Sequence, residues 1–177
     1  MDSDEQLIEQ IIILRCQMGD KQAFSELIER YGKVLRYFIS RLLDCPEMTE
    51  DIYQETWLVV INRIHSLQQA DAFAMWLYRI ARNKVYYQLR RKKLFTELNE
   101  KITSGNNHDN CEFAADEAVQ IHKALEKLHP MHKEVLMLRF LEQMSYEQIS
   151  QVINCNMGTV KSRIYYAKIA LKKEMER

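Results

Sequence analysis

Apolar residues recur through most of the chain at intervals of three and four, the spacing of one face of an α-helix. In the stretch that begins at Thr49, Ile52, Thr56, Val60 and Ile64 share one side, while Asp51, Gln54, Glu55 and Leu58 share the other. Phe73, Trp76, Leu77 and Ile80 form a second such side, and Val160, Ile164, Ala167 and Leu171 a third. Strand-like alternation is scarce, and only four Gly and two Pro interrupt 177 residues, so the fold class is all-α. Helices are expected near residues 4–18, 20–43, 49–65 and 71–93, and again near 119–128, 131–142, 145–154 and 157–175. Gly19-Asp20 separates the first two. Pro46 closes the second, because Pro cannot donate within a helix and disfavours αR in the residue before it. Thr49 is placed to cap the third helix, with Glu50 and Asp51 favourable to the dipole of its first turn. Ser145 with Gln148 three residues on is a capping-box pattern.

The periodicity fails between residues 94 and 119. Thr103-Ser104-Gly105-Asn106-Asn107-His108-Asp109-Asn110 favours turns and has almost nothing to bury. Residues 94–118 are therefore assigned to a flexible acidic linker between an N-terminal domain, 1–93, and a C-terminal domain, 119–177. Extended, the segment reaches roughly 85 Å at ~3.3 Å per residue, about 25 base pairs of duplex. Lys+Arg and Asp+Glu number 25 each, yet the zero net charge conceals blocks. Residues 1–60 carry twelve acids against six bases, 79–93 seven bases and no acid, and 120–177 ten bases against six acids. Two basic zones parted by acidic ones suit a chain that grips a polyanion at two places without adhering everywhere, although solvated surfaces carry such runs too.

No run approaches the ~20 apolar residues of a membrane span, and the acidic start fits neither a signal nor a transit peptide, so a cytoplasmic chain is expected. Cys16, Cys45, Cys111 and Cys155 lie far apart and read as reduced thiols. His122, His129 and His132, with Glu126 and Cys111, lack the recurring spacing of structural zinc, so no metal is expected. No glycine-rich phosphate loop, nucleophile elbow or HExxH motif occurs, and no catalytic residue is assigned.

Two basic helix faces carry the candidate chemistry. The last two expected helices, joined at Asn154-Cys155-Asn156, have the form of a helix-turn-helix. The second turns Lys161, Ser162, Tyr165 and Tyr166 outward, flanked by Arg163 and Lys168. Lys and Arg can donate to guanine or phosphate, Ser to either, and Tyr can touch a thymine methyl or a backbone oxygen. Gly158 and Thr159 leave backbone N–H groups at the helix start to meet a phosphate. A helical hairpin with a solvated basic face is the plainer alternative. In 71–93, Arg79, Arg82, Tyr86, Arg90 and Lys93 are spaced 3, 4, 4 and 3 apart. That stripe suits a single strand whose phosphates need cations and whose bases can stack; a solvated face of extended Arg side chains has the same pattern. Leu58 among Asp51, Gln54 and Glu55 is either a protein contact or one of the scattered surface leucines that soluble proteins carry.

Longer stretches are recognisable. Leu128-His129-Pro130, Glu134-Val135-Leu136-Met137-Leu138-Arg139-Phe140, Ser145-Tyr146-Glu147-Gln148-Ile149 and Gly158-Thr159-Val160-Lys161-Ser162-Arg163 together resemble region 4 of the extracytoplasmic-function sigma factors, a branch of the sigma-70 family. Phe73-Ala74-Met75-Trp76-Leu77-Tyr78-Arg79-Ile80-Ala81-Arg82-Asn83 with Arg90-Arg91-Lys92-Lys93 is similar to regions 2.3 and 2.4, and Glu50-Asp51-Ile52-Tyr53-Gln54-Glu55-Thr56 to region 2.2. Tyr166 stands where Arg is usual, which removes a donor to guanine.

The resemblance implies two small helical domains, a region 2 bundle and a region 4 helix-turn-helix, in a dissociable promoter-specificity subunit. It implies that Thr159, Lys161, Ser162, Arg163, Tyr165 and Tyr166 read the minus-35 element. Gln68, Gln69, Asp71, Arg79, Arg82, Asn83, Tyr86 and Arg90 would recognise and melt the minus-10 element, with the loop from Gln68 to Asp71 capturing an extruded base. Asp51, Gln54, Glu55 and Leu58 would dock on the clamp of core RNA polymerase. The implied partners are core RNA polymerase, promoter DNA and an anti-sigma factor, often membrane-bound, that can hold the chain at the membrane; no cofactor or small-molecule substrate is implied. The chain starts almost directly at the first domain, so inhibition is expected from that separate protein. The alternative is a stand-alone helix-turn-helix regulator that binds an operator as a dimer, with residues 1–93 for dimerisation or sensing.

Overall fold

A computed structural model describes residues 3–43, 45–98 and 116–176. Among these residues there are eight α-helices and no strand. The first four are α1 (Ser3–Gln17), α2 (Lys21–Leu42), α3 (Pro46–Arg63) and α4 (Phe73–Leu98); the second four are α5 (Asp116–Glu126), α6 (Pro130–Phe140), α7 (Tyr146–Ile153) and α8 (Met157–Met175). Single turns of 3₁₀-helix at Ile64–Ser66 and Ala70–Ala72 lead from α3 into α4.

The expected breaks are where local chemistry puts them. Gly19 has φ +85°, a left-handed conformation that Gly adopts without steric cost. Asp20 then caps α2 by accepting from the backbone N–H groups of Gln22 and Ala23. The start of α3 corrects the sequence reading: the helix begins at Pro46, not Thr49, with Cys45 as the cap residue. Pro is well suited to the first helical position, where its missing N–H has no intrahelical acceptor to lose. Thr49 is instead buried, and its hydroxyl donates to the Cys45 carbonyl at 2.9 Å. The Ser145–Gln148 capping box is formed in both directions, and Asn154 closes α7 in the left-handed region with φ 52°. Helix also occupies both ends of the expected linker, since α4 continues past Lys93 to Leu98 and α5 begins at Asp116. The Thr103 to Asn110 run lies outside the described residues.

In the N-terminal unit the core-facing row of α3 is as expected, with Ile52, Thr56, Val60 and Ile64 all buried. The inner face of α4 is rotated from the expected one. Phe73 and Leu77 are buried, but Tyr78, Ala81 and Val85 complete the row, leaving Trp76 and Ile80 half-buried. Phe38 of α2 meets Tyr78 edge-on at 5.0 Å, a favoured aromatic geometry. Helices α2 and α3 approach closely at Gly32, where a Cβ would come within 2.6 Å of the Tyr53 hydroxyl. α1 buries Ile12, Ile13 and Cys16 and leaves Leu7, Ile8, Ile11 and Leu14 in water, with Met18 exposed in the turn that follows. In the C-terminal unit Leu138, Ile149, Val152, Val160, Ile164 and Ala167 are buried, joining α6, α7 and α8 in one core. The two units also touch: α4 packs on α7, and α2 on α6. Nothing in the hydrophobic pattern announced that closed arrangement.

Candidate nucleic-acid interface

Helix α8 presents its outward residues as expected. Lys161, Ser162, Tyr165 and Tyr166 are exposed, the two tyrosines by 63% and 59%, and their rings meet edge to face at 5.4 Å. These side chains stand out because Val160, Ile164 and Ala167 pin the opposite side of the helix. The start of α8 differs from expectation. Asn156 caps it, with Oδ1 accepting from the Thr159 N–H at 2.8 Å and from the Thr159 hydroxyl at 2.9 Å. That N–H is therefore not open to a phosphate, and the Ser162 hydroxyl donates to the Thr159 carbonyl at 3.0 Å. Arg163 is half-buried on the side of α8 near Glu134 and Tyr86, whose titration its charge affects.

The basic stripe of α4 has two different environments. Arg79, Asn83 and Arg90 are exposed, whereas the Arg82 side chain is only 17% exposed. Its Nε donates to Glu134 Oε1 of α6 at 2.6 Å, and its guanidinium lies 4.5 Å from the centre of the Tyr86 ring. The Tyr86 hydroxyl donates to the other carboxylate oxygen of Glu134 at 3.2 Å. Glu134 itself is 0% exposed. Burial pushes its carboxyl above the ordinary range, against the opposing pull of Arg82, Tyr86 and Arg163. Burial, reinforced by the Glu134 charge, pushes the Tyr86 phenol up to about 12, so it remains a donor at neutral pH. Lys93 has no described side chain. The loop residues Gln68, Gln69 and Asp71 are exposed just before α4.

A second polar contact joins the units. Arg41 of α2 and Glu126 of α5 pair at 2.6 Å, and the Tyr37 hydroxyl meets His122 Nδ1 at 2.6 Å. Burial and the nearby Arg41 charge hold His122 below the usual imidazole value. Between the units lies a cleft of about 800 Å³ whose walls include Glu9, Arg30, Tyr31, Asp71, Glu142 and Gln148. Asp71 thus belongs both to the loop before α4 and to the rim of this cleft.

On α3, Asp51, Gln54, Glu55 and Leu58 are all exposed, Leu58 by 58%. Glu55 pairs with Lys84 at 2.6 Å and Gln54 donates to Glu50 at 3.1 Å, so polar groups are held around a bare leucine. Ile61, one turn on, is also exposed and widens the apolar spot; the helical period from Leu58 identifies it in the sequence. Glu134 is the other residue that the sequence reading passed over. Its signal is an acid four residues before a core leucine, Leu138, at the head of an apolar run.

Cys16, Cys45 and Cys155 are free thiols; Cys111 lies outside the described residues. Among the described residues no group of three His, Cys, Asp or Glu could hold a metal ion. His129 is engaged at the start of α6, where Nδ1 accepts from the Met131 N–H. No helix among the described residues is long and apolar enough to cross a membrane.

Comparison with known proteins assigns both units. Residues 27–95 match the family described as Sigma-70 region 2, and residues 118–171 match Sigma-70, region 4. The ECF RNA polymerase sigma-E factor of Escherichia coli is 29% identical over 185 residues, covering 97% of this chain and 96% of its own. That of Haemophilus influenzae is also 29% identical, with 97% of each chain covered. Among solved structures, the sigma factor RpoE in its co-crystal with the anti-sigma factor NepR from Bartonella quintana superposes with a TM-score of 0.74 at 25% identity. That superposition covers 86% of this chain and 96% of the other. CnrH, solved with the cytosolic domain of CnrY, shares the fold with a TM-score of 0.67 at 22% identity, over 95% and 97% of the two chains.

Proposed function

The chain belongs to the sigma-70 family, in its extracytoplasmic-function branch, and from that premise we propose how its surfaces divide the work of promoter selection. As a sigma factor it binds core RNA polymerase, directs it to promoters and is controlled by an anti-sigma factor. The N-terminal unit, residues 1–93 with the remainder of α4, docks on the polymerase clamp through Asp51, Gln54, Glu55 and Leu58. It handles the minus-10 element with Arg79, Arg82, Asn83, Tyr86 and Arg90, and with the loop residues Gln68, Gln69 and Asp71. The C-terminal unit reads the minus-35 element through Lys161, Ser162, Tyr165 and Tyr166, with Thr159 shaping the helix start and Arg163 at its flank.

The observation that carries this reading is that the region 2 and region 4 matches fall on separate helical units, each presenting cations and tyrosines on one helix face. Phosphate contacts from Arg and Lys supply affinity in such interfaces, and side chains on an exposed helix supply base discrimination. The polypeptide performs no bond chemistry of its own. It works in the cytoplasm and is held at the membrane only through an anti-sigma factor. The likeness to the sigma factor of the NepR co-crystal covers 86% of this chain and so includes residues of both units, which supports control by an anti-sigma factor.

The test is initiation by core polymerase across a promoter library, with and without the purified chain. Promoter-directed transcripts are expected only when both are present, and the chain alone binds duplex promoters weakly. A stable dimer that occupies duplex sites tightly by itself, and gives core enzyme no promoter selection, would establish the operator-binding alternative. The Gln54→Ala, Leu58→Ala double variant is expected to weaken binding to core enzyme by roughly tenfold, about the 1.4 kcal/mol of a modest interface contact. Unchanged affinity removes those residues from the docking surface.

A further inference from the structure

Arg82 and Tyr86 sit in the middle of the α4 stripe, where a bound strand would need donors, and both donate to Glu134. One carboxylate oxygen accepts from the guanidinium and the other from the phenol. This is the pattern in which the two unesterified oxygens of a backbone phosphate accept hydrogen bonds from Arg and Tyr. The contact crosses between units, since Glu134 belongs to α6 and its two donors to α4. Arg163 adds positive charge from α8, so the carboxylate lies among cations of both DNA-facing helices. The second contact, Arg41 with Glu126, again sets an N-terminal cation against a C-terminal acid.

We propose that Glu134 is an internal mimic of a nucleic-acid phosphate: when the C-terminal unit closes on α4, its carboxylate takes the place of a strand phosphate on Arg82 and Tyr86. Closure of the free chain and single-strand binding on α4 therefore exclude each other. The inference rests on the reading of α4 as a strand-binding face and adds a regulatory contact to it. Tethering favours the internal anion, because a linked group competes at a high effective concentration. The cost of burying the carboxylate offsets much of its attraction to Arg82, which keeps the contact displaceable. A strand has the further advantage of several phosphates and finds Arg79 and Arg90 already exposed.

The experiment measures the distance between spin labels on Cys45 and Cys155, one in each unit and both partly accessible, in the full chain with Cys111→Ser. Cys16 escapes labelling because it is buried and burial pushes its thiol up to about 11. The probe is a single-stranded DNA oligonucleotide of mixed sequence, beside the same oligonucleotide with uncharged methylphosphonate linkages. The free chain is expected to give one narrow distance, and the charged strand to replace it with a broad, longer distribution, while the uncharged strand leaves it unchanged. Glu134→Lys, which sets a third cation beside Arg82 and Arg163, is expected to be open without DNA. Removing the closed competitor should raise its affinity for the charged strand by at least roughly tenfold.

Binding of the charged strand with no change in distance overturns the proposal, as does a broad distance in the free wild-type chain. A helical Glu134→Lys chain that stays narrow also overturns it. If that variant loses helicity, Glu126→Lys opposite Arg41 replaces it under the same criteria, and the wild-type measurement stands without either. Polymerase takes no part in these measurements, so their failure leaves promoter-directed initiation as a separate result.

Discussion

Helices α8 and α4 carry similar chemistry under different conditions. Each combines cations with tyrosine on one face, yet Lys161, Tyr165 and Tyr166 of α8 are in water, while Arg82 and Tyr86 of α4 are engaged by an acid from the other unit. The difference does not arise within either helix, because both are pinned by ordinary apolar rows. It arises from what packs against the outer face. A basic stripe read from one helix is thus a statement about capacity, and the neighbouring unit decides its availability.

The largest expected effect separates the two helices by undermining one. Ile164→Ala removes a buried side chain beneath the α8 face and should cost about 2–5 kcal/mol of stability. In thermal unfolding the C-terminal unit should melt earlier, with minus-35 recognition lost and strand binding on α4 retained or strengthened. Equal loss of both activities would show that the units fold as one. Next, the Lys161→Ala, Ser162→Ala pair should reduce discrimination among minus-35 sequences by about 1–3 kcal/mol while core-enzyme binding is unchanged, as measured with matched and mismatched promoters. Arg79→Ala is smaller: it should lower the salt dependence of strand binding by roughly one counterion, with little effect on α8.

The smallest predicted effect is a pH dependence of closure. His122 is held below the ordinary value of 6.5 by burial and by Arg41, so the closed form binds its proton less tightly than the open form. Closure supported by the Tyr37 contact is therefore fully present above that value and declines as pH falls below it. Between about pH 7.5 and about pH 5.5 the distance between the units should broaden, and His122→Gln should remove most of the change. A response that His122→Gln leaves intact would assign the transition to another group.

Much of the molecule was legible from short-range rules. The α3 core row, the Gly19-Asp20 break, the Ser145–Gln148 capping box and the left-handed Asn154 all depend on residues within a few positions of each other. The outward position of Asp51, Gln54, Glu55 and Leu58 on α3, and that of Lys161, Ser162, Tyr165 and Tyr166 on α8, were legible for the same reason. The start of α3 was misplaced because Thr49 and Pro46 offered competing signals, and Pro at the first helical position prevailed. The inner face of α4 was misjudged because Tyr78 looks amphipathic in sequence yet fills the core against Phe38. Docking of the two units was not legible at all. It depends on contacts such as Arg82 to Glu134, separated by 52 positions, and no local pattern encodes which of many acids meets which of many bases.

Arg163 is half-buried on α8, and its charge reaches Glu134. Departure of that acid would remove a negative charge from the neighbourhood of Arg163 at the same moment that it releases Arg82. Displacement of Glu134 by a strand, as proposed, would thereby free cations on two helices in a single event.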